Sequence, residues 1–179
     1  MLPYYKNILL VSGNGRNVGK TTLTCRFIKQ FSHCGIVSVK VSPHWHTFNH
    51  GEQILFLDDN LLVMEETNAS RNKDSGRMLL HGASKVYYVQ SRRDAFLHRA
   101  FNLIIENEGA HKPMVFESAA LGKFIKPAFH FHVKRPLARG DKKQLTHSPA
   151  DHILHFDGKD FNFDLERVRW ADGKWEVAS

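Results

Sequence analysis

Residues 7–22 read NILLVSGNGRNVGKTT, and this stretch decides the fold class. Its apolar run, residues 8–11, has no polar alternation, which is typical of a strand buried on both faces of a parallel sheet. Glycines then interrupt the run, and apolar residues recur at helical spacing from Leu23 to Phe31. The sequence therefore predicts a strand, a glycine-rich loop and a helix, in that order.

The glycine-rich loop has the composition of a phosphate-binding site. Glycines allow the backbone to approach an anion closely, and a helix N-terminus supplies N–H donors. Lys20 is expected to contact the β- and γ-phosphates, and the Thr21 hydroxyl is expected to bind Mg²⁺. The sequence thus predicts binding of GTP or ATP with Mg²⁺. The candidate nucleotide-binding residues are Gly13, Asn14, Gly15, Arg16, Asn17, Val18, Gly19, Lys20, Thr21, Thr22 and Lys40.

The spacing of the loop differs from the usual G-x-x-x-x-G-K-[ST] pattern. Counting back from Gly19 places Asn14 at the first position, so a loop that starts at Gly13 is one residue longer. Arg16 lies inside the loop, either reaching across the phosphates to stabilise transition-state charge or pointing into solvent. Lys20 and Arg16 are therefore candidate catalytic residues.

Magnesium also requires an acidic residue from another strand end. Glu117 is the first choice, because it ends the predicted strand 113–117 and a polar turn follows directly. We predict that Glu117 binds the metal together with Thr21 and takes part in catalysis. The competing acids are Glu65, Glu66, Asp58 and Asp59.

In the rest of the chain, segments with helical spacing of apolar residues alternate with apolar runs typical of strands. Helical spacing predicts helices over 74–81 and 94–108. Apolar runs predict strands over 36–41, 61–64, 85–89, 113–117 and 129–133, with the role of 55–57 left open. The chain is expected to form a three-layer α/β sandwich of the P-loop NTPase type, with a mainly parallel sheet and a C-terminal β-hairpin around 171–173. It is treated as one domain, 1–179, with a basic, turn-rich segment 134–150 and a hairpin-like tail 151–179 as an appendage.

Composition excludes several classes of protein. A length of 179 residues suits one α/β domain, and 42% hydrophobic with 24% charged residues argues against disorder. The net charge of +7 is scattered along the chain, so a nucleic-acid partner is not expected. No apolar run approaches a membrane span and no signal peptide is recognisable, which favours a cytoplasmic protein without a membrane partner.

Twelve histidines raise the question of a metal site. His44, His46 and His50 lie close in sequence, but three or four side chains must converge to bind a metal, so a polar surface loop is the favoured interpretation. His130 and His132 alternate with apolar residues, which predicts that both point to one face of a strand and have structural roles.

The sequence from 7 to 90 resembles the P-loop NTPases of the molybdopterin-guanine dinucleotide biosynthesis protein B type. The matching features, in order, are Gly19-Lys20-Thr21-Thr22, Lys40 followed by His44 and His46, Lys73-Asp74-Ser75, Arg77, and His81-Gly82-Ala83. The resemblance implies a GTP-binding accessory protein that acts late in molybdenum cofactor assembly. The longer loop is similar to that of dethiobiotin synthetase, a member of the same broad class.

Three functions follow as hypotheses. The leading one is slow Mg²⁺-dependent hydrolysis of GTP or ATP. The second is an ATP-dependent ligase or kinase that acts on a small molecule held near Lys40, as the likeness to dethiobiotin synthetase implies. The third is a nucleotide-switched module that presents its basic tail to a protein or nucleic-acid partner. The sequence leaves open the base, since it contains no N-K-x-D guanine reader, as well as the acceptor and the formation of a homodimer.

Overall fold

The apolar stretch near the start of the chain forms a buried strand that leads through a loop into a helix. The computed structural model describes residues 1–42, 44–47, 53–134 and 150–178. Strand β1 is Tyr4–Gly13 and helix α1 is Lys20–Phe31. Residues 8–11 are at most 1% exposed, so the strand is buried on both faces. The predicted order of strand, loop and helix is confirmed.

Two further helices and nine further strands follow in the described ranges. The helices are α2, Asp74–Leu80, and α3, Leu97–Glu108. The strands are β2, Val37–Ser42; β3, Gln53–Leu57; β4, Leu61–Glu65; β5, Lys85–Ser91; β6, Met114–Glu117; β7, Lys126–Lys134; β8, His152–His155; β9, Val168–Ala171; and β10, Lys174–Val177.

Eight strands form one mixed sheet in the order β3-β4-β5-β2-β6-β1-β7-β8. All pairs from β5 across to β8 are parallel, whereas β3–β4 and β4–β5 are antiparallel. Strands β9 and β10 form a separate antiparallel hairpin. The α/β class, the mainly parallel sheet and the C-terminal hairpin are therefore confirmed.

Helices cover both faces of the sheet because alternate residues of β1 point to opposite sides. Leu9 and Val11 belong to a core shared with α1 and α2. Ile8 and Leu10 belong to a second core shared with α3. Strand β1 thus lies between two apolar layers, and the loop that follows it emerges at the carboxyl edge of the sheet.

The structure differs from the sequence-based expectation at two element boundaries. Residues 55–57 belong to β3, an antiparallel edge strand joined to β4 by a tight turn. The Asp58 carboxylate accepts hydrogen bonds from the N–H groups of Asn60 and Leu61, both at 2.8 Å, which stabilises this turn. The helix predicted over 94–108 begins with a 3₁₀ turn, Asp94–Phe96, and becomes α-helical at Leu97.

The last part of the chain packs against the main body. Strand β8 joins the sheet edge parallel to β7. The Trp175 side chain is 3% exposed, and its indole N–H donates to the Asn7 carbonyl oxygen at 2.8 Å. Of the basic segment 134–150, residues 135–149 lie outside the described part of the chain. None of the helices in the described ranges is long and apolar enough to cross a bilayer.

Candidate functional site

A cavity of about 960 Å³ lies at the carboxyl edge of the sheet. The glycine-rich loop after β1 forms one wall, and the ends of β2 and β6 and the start of α2 form the others. This is where open α/β sheets bind ligands. Glu117 and every candidate nucleotide-binding residue except Asn14 line the cavity.

The loop backbone alternates between positive and negative φ. Gly15, Asn17 and Gly19 have φ values of 86°, 57° and 106°, whereas Arg16 and Val18 between them do not have positive φ. Such alternation turns successive N–H groups towards one concave side, which is a recurrent anion-binding geometry. Val18 is only 4% exposed and anchors the loop to the core.

Helix α1 begins directly after Gly19, with its N-terminus at the cavity. No side chain in the described part of the chain caps this end, and its first turn contains no acidic residue. Thr21 and Thr22, in the first turn, line the cavity. The unpaired N–H groups and the positive end of the helix dipole therefore favour a negatively charged ligand.

The structure explains the extra residue in the loop. Gly13 is the last residue of β1 and pairs with Val133 of β7. A Cβ atom on Gly13 would lie 2.4 Å from the Val133 carbonyl oxygen. Glycine is required here because two strands approach closely, so the loop itself begins at Asn14, where the usual pattern has its first glycine.

The two cationic side chains of the loop differ in environment. The Lys20 ammonium group lies over the loop and donates to the Gly15 carbonyl oxygen at 2.5 Å. Burial lowers the pKa of Lys20; Glu117 opposes this effect and the neighbouring charge of Lys40 adds to it. Arg16 is exposed at the rim of the cavity. Lys20 is therefore held in place before any ligand arrives.

Glu117 is the centre of a buried polar cluster. It is 2% exposed, and its Oε2 accepts a hydrogen bond from the Thr21 hydroxyl at 2.9 Å. Its Oε1 lies 2.5 Å from the Lys40 ammonium group, which also contacts the Asp74 carboxylate at 2.9 Å. The structure thus brings together Thr21, Lys40 and Glu117, which the sequence singled out separately.

Ion pairing keeps Lys40 and Asp74 charged. Burial lowers the pKa of Lys40, but Glu117 and Asp74 outweigh burial and raise the pKa overall. Burial raises the pKa of Asp74, yet Lys40 together with a Thr21 hydrogen bond and the charge of Arg77 holds it below its ordinary value. The Asp74 carboxylate is therefore ionised at neutral pH.

Sequence reasoning did not select Asp74 as a site residue. It appeared only within the Lys73-Asp74-Ser75 segment of the family resemblance. Its position in the first turn of α2 was predicted, but the placement of that turn against Lys40 depends on the sheet order. A local sequence pattern could have indicated that Asp74 lies at the start of a helix. It could not have indicated that Lys40 is its partner.

The competing acids have other partners. Glu66 lines the cavity and is buried, but its oxygens accept from the Ser75 hydroxyl at 2.8 Å and the Asn68 N–H at 3.0 Å. Glu65 pairs with Lys85 at 3.5 Å. Asp58 holds the turn before β4, and Asp59 lies at the same turn. Glu117, unlike these four competitors, accepts a hydrogen bond from the Thr21 hydroxyl.

The described histidines of the loop after β2, His44 and His46, form part of the cavity wall. The rings of His44 and His46 lie 6.2 Å apart between centroids, and both line the cavity. His50 lies outside the described residues. Within the described ranges, no three His, Cys, Asp or Glu side chains are arranged to hold a metal ion.

His130 and His132 lie on one face of β7, as predicted, and flank a serine. The Ser12 hydroxyl lies 2.6 Å from His130 Nε2 and 2.7 Å from His132 Nδ1. Burial, with smaller contributions from His130 and nearby cations, lowers the pKa of His132 to about 4. Its Nε2 is buried and has no hydrogen-bond partner among the described residues. The imidazole of His132 is therefore neutral at pH 7.

Comparison of the chain with known protein families, curated proteins and solved structures gives no match. The geometry of the cavity defines its chemistry: a loop of alternating φ, three lysines, and a hydroxyl paired with a carboxylate. Such a site suits a polyanion accompanied by a hard divalent cation.

Proposed function

We propose that this protein is a P-loop NTPase that binds GTP or ATP with Mg²⁺ and hydrolyses it slowly. The observation that carries the proposal is the alternating-φ loop at the uncapped N-terminus of α1, with Lys20 over it and the Thr21–Glu117 pair beside it. A triphosphate needs many hydrogen-bond donors from a backbone that can approach it closely. A loop with this conformation offers its N–H groups as such donors.

Each part of the loop has a role in this proposal. The N–H groups of 14–19 and of the first turn of α1 hold the phosphates. The Lys20 ammonium group exchanges the Gly15 carbonyl oxygen for β- and γ-phosphate oxygens. Arg16, exposed at the rim, is placed to stabilise charge that develops in the transition state.

The Thr21 hydroxyl and the Glu117 carboxylate fit Mg²⁺, because both are hard oxygen donors and lie 2.9 Å apart. Mg²⁺ in such sites uses one or two protein ligands and completes its shell with phosphates and water, so a larger carboxylate cluster is not needed. The ion neutralises phosphate charge when bound. The hydrogen bond from the Lys40 ammonium group to Oε1 orients the Glu117 carboxylate.

The biological role that we propose is that of an accessory factor in molybdenum cofactor biosynthesis, which favours GTP. The support is that the residues of the family resemblance, namely Lys20, Lys40, Asp74 and Arg77, meet at one site although they are distant in sequence. The third hypothesis, a nucleotide-switched module, rests on the basic segment, of which 135–149 lies outside the described residues.

Calorimetric titration tests nucleotide binding. We expect Mg²⁺-dependent binding of GTP or ATP, weaker binding of the diphosphates, and a loss of about ten- to a hundredfold for Lys20→Ala, since a hydrogen bond to a charged group contributes about 1.5–3 kcal/mol. Lys29→Ala is the matched control, because it removes an exposed lysine from the same helix. Absence of Mg²⁺-dependent binding, or equal affinity in the Lys20→Ala variant, would refute the proposal.

A second candidate function is phosphoryl transfer or ligation onto a small molecule, and the extent of the cavity favours it. Beyond Lys40 the wall continues along Tyr88, Gln90 and His46, whose N–H donates to the Gln90 amide oxygen at 2.5 Å. A volume of about 960 Å³ is at the upper end for ligand pockets, which leaves room for an acceptor. Turnover that stays at the hydrolysis baseline across carboxylate and hydroxyl acceptors counts against this candidate.

A further inference from the structure

An aromatic ring approaches the glycine-rich loop from the side opposite Lys40. Phe156, the first residue after β8, is half-buried and lines the cavity. A Cβ atom on Gly19 would lie 2.8 Å from this ring, so the ring packs directly on the last residue of the loop. Sequence reasoning assigned no role to Phe156.

The turn that carries Phe156 is well ordered by its own contacts. The Phe156 and Phe161 rings stack with centroids 4.7 Å apart and planes inclined by 29°, and the two residues form an antiparallel bridge. The Asp157 carboxylate accepts hydrogen bonds from the N–H groups of Lys159 and Asp160, both at 2.7 Å. The position of the ring is therefore fixed within the turn.

The same turn is attached to helix α1. The Arg26 guanidinium group lies over the Phe161 ring, 5.2 Å from its centroid, and pairs with Asp160 at 3.1 Å. Because α1 starts at the loop, these contacts fix Phe156 relative to the loop as well. The cavity thus has a preorganised apolar wall near its phosphate-binding end.

The sheet order separates the two ends of the cavity. Lys40 and Glu117 belong to β2 and β6, on one side of β1, whereas Phe156 follows β8, two strands away on the other side. Neighbouring strands lie about 4.8 Å apart, so β8 is roughly 10 Å from β1. The side of the cavity that contains Lys40 and Glu117 is ionic and suits the terminal phosphates. The other side contains the uncharged ring of Phe156.

Resting on the proposed nucleotide binding, we propose that Phe156 contacts the nucleobase, so that the nucleoside extends from the loop towards the turn 156–161. Every base has an aromatic face, so contact with a phenyl ring favours binding of a nucleobase without choosing among the bases. The turn therefore contributes to affinity for the nucleoside and not for the phosphates.

The test compares nucleotides with inorganic tripolyphosphate, each titrated with Mg²⁺. Phe156→Ala is expected to weaken the binding of ATP and GTP by roughly tenfold, as loss of base–aromatic stacking does in other proteins. The affinity for tripolyphosphate is expected to stay unchanged. Phe156→Trp is expected to retain nucleotide affinity. Phe163→Ala is the matched control, since this half-buried ring packs against Phe131 at 5.5 Å in the same tail and does not line the cavity.

The outcomes separate the two proposals. Unchanged nucleotide affinity in Phe156→Ala, or an equal loss for nucleotides and tripolyphosphate, overturns the assignment of Phe156 while nucleotide binding stands. Wild-type protein that binds neither ligand overturns the proposed function and this inference with it. Phe156→Leu, which fills a similar volume without an aromatic face, gives the same comparison if the alanine variant does not fold.

Discussion

Replacing Lys40 by methionine measures how strongly the buried polar cluster depends on its cation. The Lys40 side chain is 16% exposed and that of its partner Glu117 is 2% exposed, with 2.5 Å between the charged atoms. Methionine keeps an unbranched apolar stem but leaves the Glu117 carboxylate buried without its cation. Removing one partner of a buried ion pair costs about 3–5 kcal/mol. The contact with Asp74 adds little, because that carboxylate is 43% exposed.

An exposed ion pair in the same chain provides the control. Lys123 lies 2.6 Å from Asp94, a distance similar to that in the buried pair, but both side chains are 52% exposed. Lys123→Met removes the same charge and is expected to cost at most about 1 kcal/mol.

Urea unfolding at pH 7, followed by tryptophan fluorescence, gives the free energy of unfolding of the wild type and both variants. The expected order is a small loss for Lys123→Met and a loss several times larger for Lys40→Met. Equal losses would show that burial of Glu117 does not control the strength of the pair, and the description of the cluster would then be wrong.

Two further predictions concern His132 and Gly76. The pKa of His132 is about 4 in the folded state and 6.5 ordinarily, so the unfolded state binds the proton first as pH falls. Stability should therefore decrease between pH 6.5 and 4, by up to about 3 kcal/mol at about 1.4 kcal/mol per pKa unit, and His132→Phe should flatten this part of a stability–pH curve. Gly76→Ala should lower the free energy of unfolding by about 1–3 kcal/mol although alanine favours helices, because the new Cβ would lie 2.8 Å from backbone atoms of Asn68 and Ser70. A chemical denaturation curve equal to that of the wild type would contradict this prediction.

Local patterns in the sequence were sufficient to predict most of the helices and strands. The apolar run 8–11 and the helical spacing after Lys20 predicted β1 and α1, because burial on both faces and amphipathicity are recorded in neighbouring residues. The strand ending at Glu117 was predicted for the same reason. The role of 55–57, which lie in the edge strand β3, was left open because a short apolar run can belong to a strand or to a helix.

Contacts that depend on strand order could not be obtained in this way. Asp74 meets Lys40 because β5 lies beside β2, and Phe156 reaches Gly19 because β8 adds to the edge beyond β7. The spacing of residues in the sequence does not indicate that β5 lies beside β2 or that β8 lies beside β7. Gly13 shows the same limit, because its need for glycine comes from Val133, far away in the chain.

The sheet order also has a consequence for how the chain acquires its structure. Strand β1 is synthesised before its partners β6 and β7, which follow over a hundred residues later in the chain, and Trp175, which bonds to Asn7, follows later still. A central parallel strand with such distant partners gives a high contact order, which is associated with slow folding. The apolar run 8–11 therefore lacks its strand partners until β6 and β7 have been synthesised, and an apolar segment without its partners favours aggregation.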